Sequence, residues 1–88
     1  MLTDKPKTLY RLSFGARIRK SRMEKELSQE KIGAMVNVSS DMIKEFEAGQ
    51  GYPSVDVLMN LCDVLNCSAD YLLYGKTHNL TSLRWKRR

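Results

Sequence analysis

The stretch Leu27 to Pro53, LSQEKIGAMVNVSSDMIKEFEAGQGYP, constrains the fold more than any other. It holds two short helical patterns, each opened by a serine. Ser28 can cap the first, because Gln29, Ile32, Gly33 and Val36 follow at i, i+3, i+4 and i+7. Ser39 can cap the second, where Met42, Ile43 and Phe46 recur at helical spacing. Asn37-Val38 leaves room only for a tight turn, so the two helices must cross steeply rather than lie antiparallel. Gly33 costs its helix about 1 kcal/mol relative to alanine, and its small side chain would let the second helix approach closely.

The flanking segments read as support for this pair. Met1 to Leu12 contains Pro6 and mixed charge with weak periodicity, and is expected to be an arm, with Leu9, Tyr10 and Leu12 able to dock. A helix is expected from about Ser13, its cap, to Lys25, with Phe14, Ala16, Ile18 and Met23 as apolar positions. Arg22 falls on the stripe set by Phe14 and Ile18, and an arginine there needs a partner, since an unpaired buried charge is expensive. The helix from Ser40 to Ala48 stops at Gly49, and Gln50 to Pro53 is a loop. Ser54 opens a fourth helix, with Val55, Leu58, Leu61, Cys62 and Leu65 on one face, that Asn66 ends. Ser68 caps a last short helix through Tyr74, where Leu72 and Leu73 can bury and Gly75 terminates. The expected organisation is an arm (1–12), a five-helix all-α domain (13–75) and a basic tail (76–88).

Charge is segregated along the chain. Residues 1–26 carry eight Lys/Arg against three Asp/Glu, residues 27–75 two against seven, and residues 76–88 five against none. Basic ends on an acidic middle suggest a polyanion touched mainly by the ends, although surface charge can also serve solubility alone. No apolar run approaches the roughly 18 residues of a membrane span and no secretory segment follows Met1, so no membrane partner and a cytoplasmic location are expected. Cys62 and Cys67 lack a second Cys/His pair to complete a zinc site and read as small buried or half-buried thiols in a reducing compartment. His78 is the single histidine, so neither cysteine has an obvious base, and no glycine loop suits phosphate chemistry. No enzyme activity, metal or cofactor is expected.

With these residues in order, the run from Leu27 to Gly75 resembles the helix-turn-helix domain of phage Cro and lambda-type repressors, the XRE family. The matching residues are Leu27-Ser28-Gln29-Glu30, Ile32-Gly33, Val38-Ser39, Ile43, Phe46-Glu47, Gly49 and Pro53-Ser54. The Leu58/Leu61/Leu65 ladder and Ser68-Ala69-Asp70-Tyr71-Leu72-Leu73 follow, with Ile18-Arg19 and Arg22 ahead of them. The resemblance implies a compact five-helix, lambda-repressor-like DNA-binding domain whose second helix crosses the DNA backbone and whose third lies in the major groove. It implies that Ser40, Asp41, Lys44 and Glu45 face base edges. It matches Gln29 to a position that contacts phosphate and sometimes a base, and Ser39 to the exposed face of the third helix; Gln29, Ser39, Arg17, Arg19, Lys31 and Gln50 are the expected backbone contacts. It implies that Arg22 and Glu47 pair beneath the third helix. It also implies a homodimer on a near-palindromic operator, with half-sites about 34–36 Å apart. The last helix and Leu80, Leu83 and Trp85 are the candidate dimer surface.

The chain departs from the family pattern in three places. Asp41 and Glu45 stand where uncharged or basic residues are common, and a carboxylate there can accept from cytosine but repels phosphate. Asp41 also suits the helix dipole, which leaves its role open. Glu26 stands where glycine often ends the first helix. Phosphate neutralisation needs several cations, and the two central helices offer only Lys31 and Lys44. Arg17, Arg19, Lys7 or Arg11, and Arg84 to Arg88 must supply the rest. Two functions therefore stand: a sequence-specific transcriptional regulator, most readily a repressor, on double-stranded DNA, or an antitoxin-like module that binds a protein partner.

Overall fold

The computed structural model describes residues 7–76. These form α1 (Lys7–Glu24), α2 (Gln29–Val36), α3 (Ser40–Glu47), α4 (Val55–Leu65) and α5 (Ala69–Tyr74), with no strand among the described residues. Four helix starts obey one local rule. Ser28, Ser39, Ser54 and Ser68 have extended backbone, and each hydroxyl accepts from the N–H three residues on. The four bonds, to Lys31, Met42, Val57 and Tyr71, measure 2.9, 3.1, 3.3 and 3.0 Å. Each such cap stabilises its helix by about 1 kcal/mol.

The first helix does not obey the Ser13 cap. It begins at Lys7, so residues 7–12 of the expected arm are helical, and Ser13 is an exposed residue within α1. Proline is favoured in a helix's first turn, so Pro6 in the sequence marks a start as readily as an arm. Leu80, Leu83 and Trp85, with the rest of the basic tail beyond Lys76, lie outside the described residues.

One core joins all five helices: Phe14 and Ile18 of α1, Ile32 and Val36 of α2, Ile43 and Phe46 of α3, Leu61 and Leu65 of α4, and Leu72 of α5. The rings of Phe14 and Tyr52 meet at 5.2 Å between centroids. α1 packs on α3 and α5, and α2 packs on α3 and α4. Ala16, Met23, Met42 and Val55, expected among the apolar contact positions, are exposed. Met23 and Met42 each sit one residue beside the buried stripe, and one residue rotates a side chain by more than a quarter turn. Val55 is the first residue of α4, before that helix reaches the core.

Three corners turn on left-handed backbone at a residue other than glycine. Glu26 (φ 59°) ends α1, Asn37 (φ 69°) ends α2 and Asn66 (φ 58°) ends α4. The α1–α2 corner thus keeps the shape glycine would favour, with glutamate bearing the conformational cost. Gly33 does permit the crossing of α2 and α3: a Cβ there would lie 2.7 Å from the Val38 carbonyl oxygen. α3 is thereby held tightly across α2.

Candidate nucleic-acid interface

The site is the outward face of α3 and the start of α2. Ser40 is half-buried, whereas Asp41, Met42, Lys44 and Glu45 are exposed. Ile43 and Phe46 point the opposite way into the core, which fixes the rotation of α3 about its axis. Ser39 is exposed and its hydroxyl is engaged with the Met42 amide. Lys31 and Gln50 are exposed.

Beneath this face lies a polar cluster. Arg22 Nε donates to Glu47 Oε2 at 2.6 Å and Arg22 Nη2 to Glu47 Oε1 at 3.0 Å, a two-pronged ion pair. Arg22 Nη1 donates to the Leu27 carbonyl at 2.8 Å, and Gln29 Nε2 donates to Glu47 Oε1 at 3.0 Å. The two charged side chains are only 11% and 5% exposed, so the pair is shielded from solvent. Bonding to the carboxylate pushes the Arg22 guanidinium above its ordinary value, against the opposing effect of burial. The cluster ties the end of α1, the start of α2 and the end of α3 to one carboxylate. Gln29 is therefore bonded within the protein through its amide nitrogen, while its helix N-terminus still offers backbone N–H groups.

The arginines of α1 divide by direction. Arg17 Nε donates to the Leu72 carbonyl at 3.0 Å, and its guanidinium lies against Gly75 at the end of α5. It satisfies a carbonyl at a helix C-terminus and favours the dipole there. Arg11 Nε donates to the Gly49 carbonyl at 3.4 Å, tying α1 to the loop after α3. Arg19 is exposed and shares a shallow groove with Leu12, Ala16, Lys20, Met23, Glu24 and Glu47, which puts it beside α3. Lys20 pairs with Glu24 at 3.8 Å across one helical turn. Sequence reasoning therefore missed the structural use of Arg17 and Arg11, and it did not anticipate that Met35 and Met42 are exposed.

A second surface lies on the side of α5. Tyr10, Tyr52, Pro53, Leu58, Leu73 and Tyr74 line a groove of about 480 Å³. Among the described residues no group of three His, Cys, Asp or Glu could hold a metal ion, and no helix is long and apolar enough to cross a membrane.

Comparison with known proteins places this geometry. The helix-turn-helix family profile matches residues 18–72. Repressor protein C2 of Salmonella phage P22 is 39% identical over 62 residues, which are 70% of this chain and 29% of that protein. The chain thus spans less than a third of that relative's length. The uncharacterized helix-turn-helix-type transcriptional regulator YazB of Bacillus subtilis (strain 168) is 37% identical over 59 residues, 67% of this chain and 86% of that protein. The crystal structure of the P22 c2 repressor with a synthetic operator superimposes with a TM-score of 0.70 at 38% identity, covering 72% of this chain and 96% of that one. A five-helix fold, a capped and tightly crossed α2–α3 pair and these likenesses agree: the chain belongs to the helix-turn-helix family, in its Cro and lambda-repressor (XRE) branch.

Proposed function

We propose that the protein is a sequence-specific DNA-binding transcriptional regulator, most readily a repressor, that reads double-stranded DNA with α3. The observation that carries this reading is the presentation of α3. Its inner face is locked in the core, its base is pinned by the Arg22–Glu47–Gln29 cluster, and Asp41, Lys44 and Glu45 stand exposed in a row. A recognition helix needs that combination of rigidity and access. Ser40, Asp41, Lys44 and Glu45 would face base edges. Ser39, Gln29 at the α2 N-terminus, Lys31, Gln50 and Arg19 would meet phosphates. Arg17 would contribute less than its charge suggests, because its Nε is engaged at α5.

Dimerisation is part of the proposal. The aromatic groove beside α5 and the exposed Tyr74 supply apolar surface for a second copy, with Leu80, Leu83 and Trp85 as further candidates. A two-fold dimer would set two recognition helices about 34–36 Å apart. Location in the cytoplasm, and action without a catalytic centre or cofactor, complete the reading.

One observation favours a second reading. Asp41 and Glu45 place two exposed carboxylates on the face that would enter the groove. An antitoxin-like module that binds a basic protein partner would use them directly. Selecting bound duplexes from a random pool at fixed, moderate salt separates the two. A palindromic consensus is the expected result; absence of enrichment would favour the protein partner.

A further inference from the structure

The α4–α5 corner closes with two crossed backbone bonds. The Cys67 N–H donates to the Cys62 carbonyl at 3.0 Å and the Asn66 N–H to the Asp63 carbonyl at 3.3 Å, with Asn66 left-handed between them. This closure is the Schellman motif. In it, the residue after the left-handed position packs against the residue five places earlier. Here both residues are cysteines. The 3.0 Å backbone bond joins the two cysteines directly across the corner, and both thiols are free and half-buried rather than sealed in the core.

The two sulfurs have different surroundings. Cys67 Sγ lies 3.4 Å from the Ser21 hydroxyl, which can turn to donate to it, and 3.5 Å from the Leu65 carbonyl. Cys62 has no such hydroxyl: burial pushes its thiol up, with the neighbouring Cys67 and then Asp63 adding to the effect. The Ser21 hydroxyl beside Cys67 can donate to a negative charge developing on that sulfur, which assigns Cys67 the first step of an exchange and Cys62 the second.

We propose that Cys62 and Cys67 form a peroxide-oxidisable dithiol that closes to an internal disulfide across the α4–α5 corner. The Cys67 thiolate attacks one oxygen of hydrogen peroxide and the O–O bond breaks. Hydroxide leaves, takes up the proton the thiol released, and departs as water. The resulting Cys67 sulfenic acid is attacked by the Cys62 sulfur, which gives up its proton as the S–O bond breaks and a second water leaves. Two thiols lose two electrons and two hydrogens, and peroxide becomes two waters. The bond would lock α5 to the end of α4, the two helices that contribute Leu58, Leu73 and Tyr74 to the groove proposed above for a second copy. The assignment does not depend on DNA binding.

The test treats the full chain with hydrogen peroxide, then counts free thiols in denaturant and records the intact mass. Both cysteines fall in one tryptic peptide, residues 45–76, because no Lys or Arg lies between Lys44 and Lys76. The expected result is loss of both thiols together, with that peptide lighter by two hydrogens and restored by dithiothreitol. Cys62→Ser should instead accumulate a Cys67 sulfenic acid that dimedone traps. Loss of one thiol only, further oxidation of Cys67 in the unsubstituted chain, or a covalent dimer as the sole product would each overturn the proposal. The peptide measurement on the unsubstituted chain stands even where the variant folds poorly.

Discussion

Arg22 shows how one side chain can be read from its neighbours. It follows Phe14 and Ile18 at four-residue steps, so it had to point inward, and a charge pointing inward had to be paired. The pair with Glu47 is 2.6 Å long and nearly sealed. Truncating Arg22 to alanine would leave Glu47 buried without its cation, at a cost of about 3–5 kcal/mol. Thermal melts of Arg22→Ala, Glu47→Ala and the double variant should show the double losing far less than the sum; additive losses would mean the two residues act independently. Arg17 shows the opposite case. Its charge was visible, but its bond to Leu72 spans 55 positions and depends on how α5 docks on α1, which no local pattern encodes. Glu26 is a third case. The sequence marked it as a departure from glycine, and the structure shows the left-handed backbone retained. Glu26→Gly should therefore stabilise the fold by about 1 kcal/mol, measured as a rise in the denaturation midpoint. No change would mean that the glutamate side chain compensates locally.

Helices α2 to α5 were legible because their punctuation is chemical. A serine at each start and Asn or Gly near most ends act within one turn, so they survive any tertiary context. The start of α1 was not legible, because nothing between Lys7 and Ser13 forbids helix and the weak periodicity there says little about packing. Close approach between elements is harder still to read. Gly15 was unmarked in the sequence, yet a Cβ at that position would lie 2.6 Å from the Glu47 carbonyl oxygen and also strike that of Phe46. Those are backbone atoms at the end of α3, so α3 would have to move. Gly15→Ala should cost about 1–3 kcal/mol despite alanine's better helix propensity, as read from urea unfolding. A gain in stability would show that α1 and α3 can separate without penalty.

At the scale of the molecule, the central problem is the grip on DNA. The α2–α3 pair gives shape and a readable face, but its two lysines stand among several carboxylates. Of the α1 arginines, Arg22 is paired and Arg17 and Arg11 donate to carbonyls, which leaves Arg19 exposed beside α3. Much of the phosphate neutralisation in the proposed complex therefore falls to the basic tail. The salt dependence of binding to the selected duplex tests this, for the full chain and for a variant with Arg84, Lys86, Arg87 and Arg88 all changed to glutamine. The variant should bind more weakly and show a shallower dependence of log K on log salt, by about 0.9 for each phosphate that is no longer neutralised. Equal affinity and an unchanged slope would contradict a grip supplied by the tail.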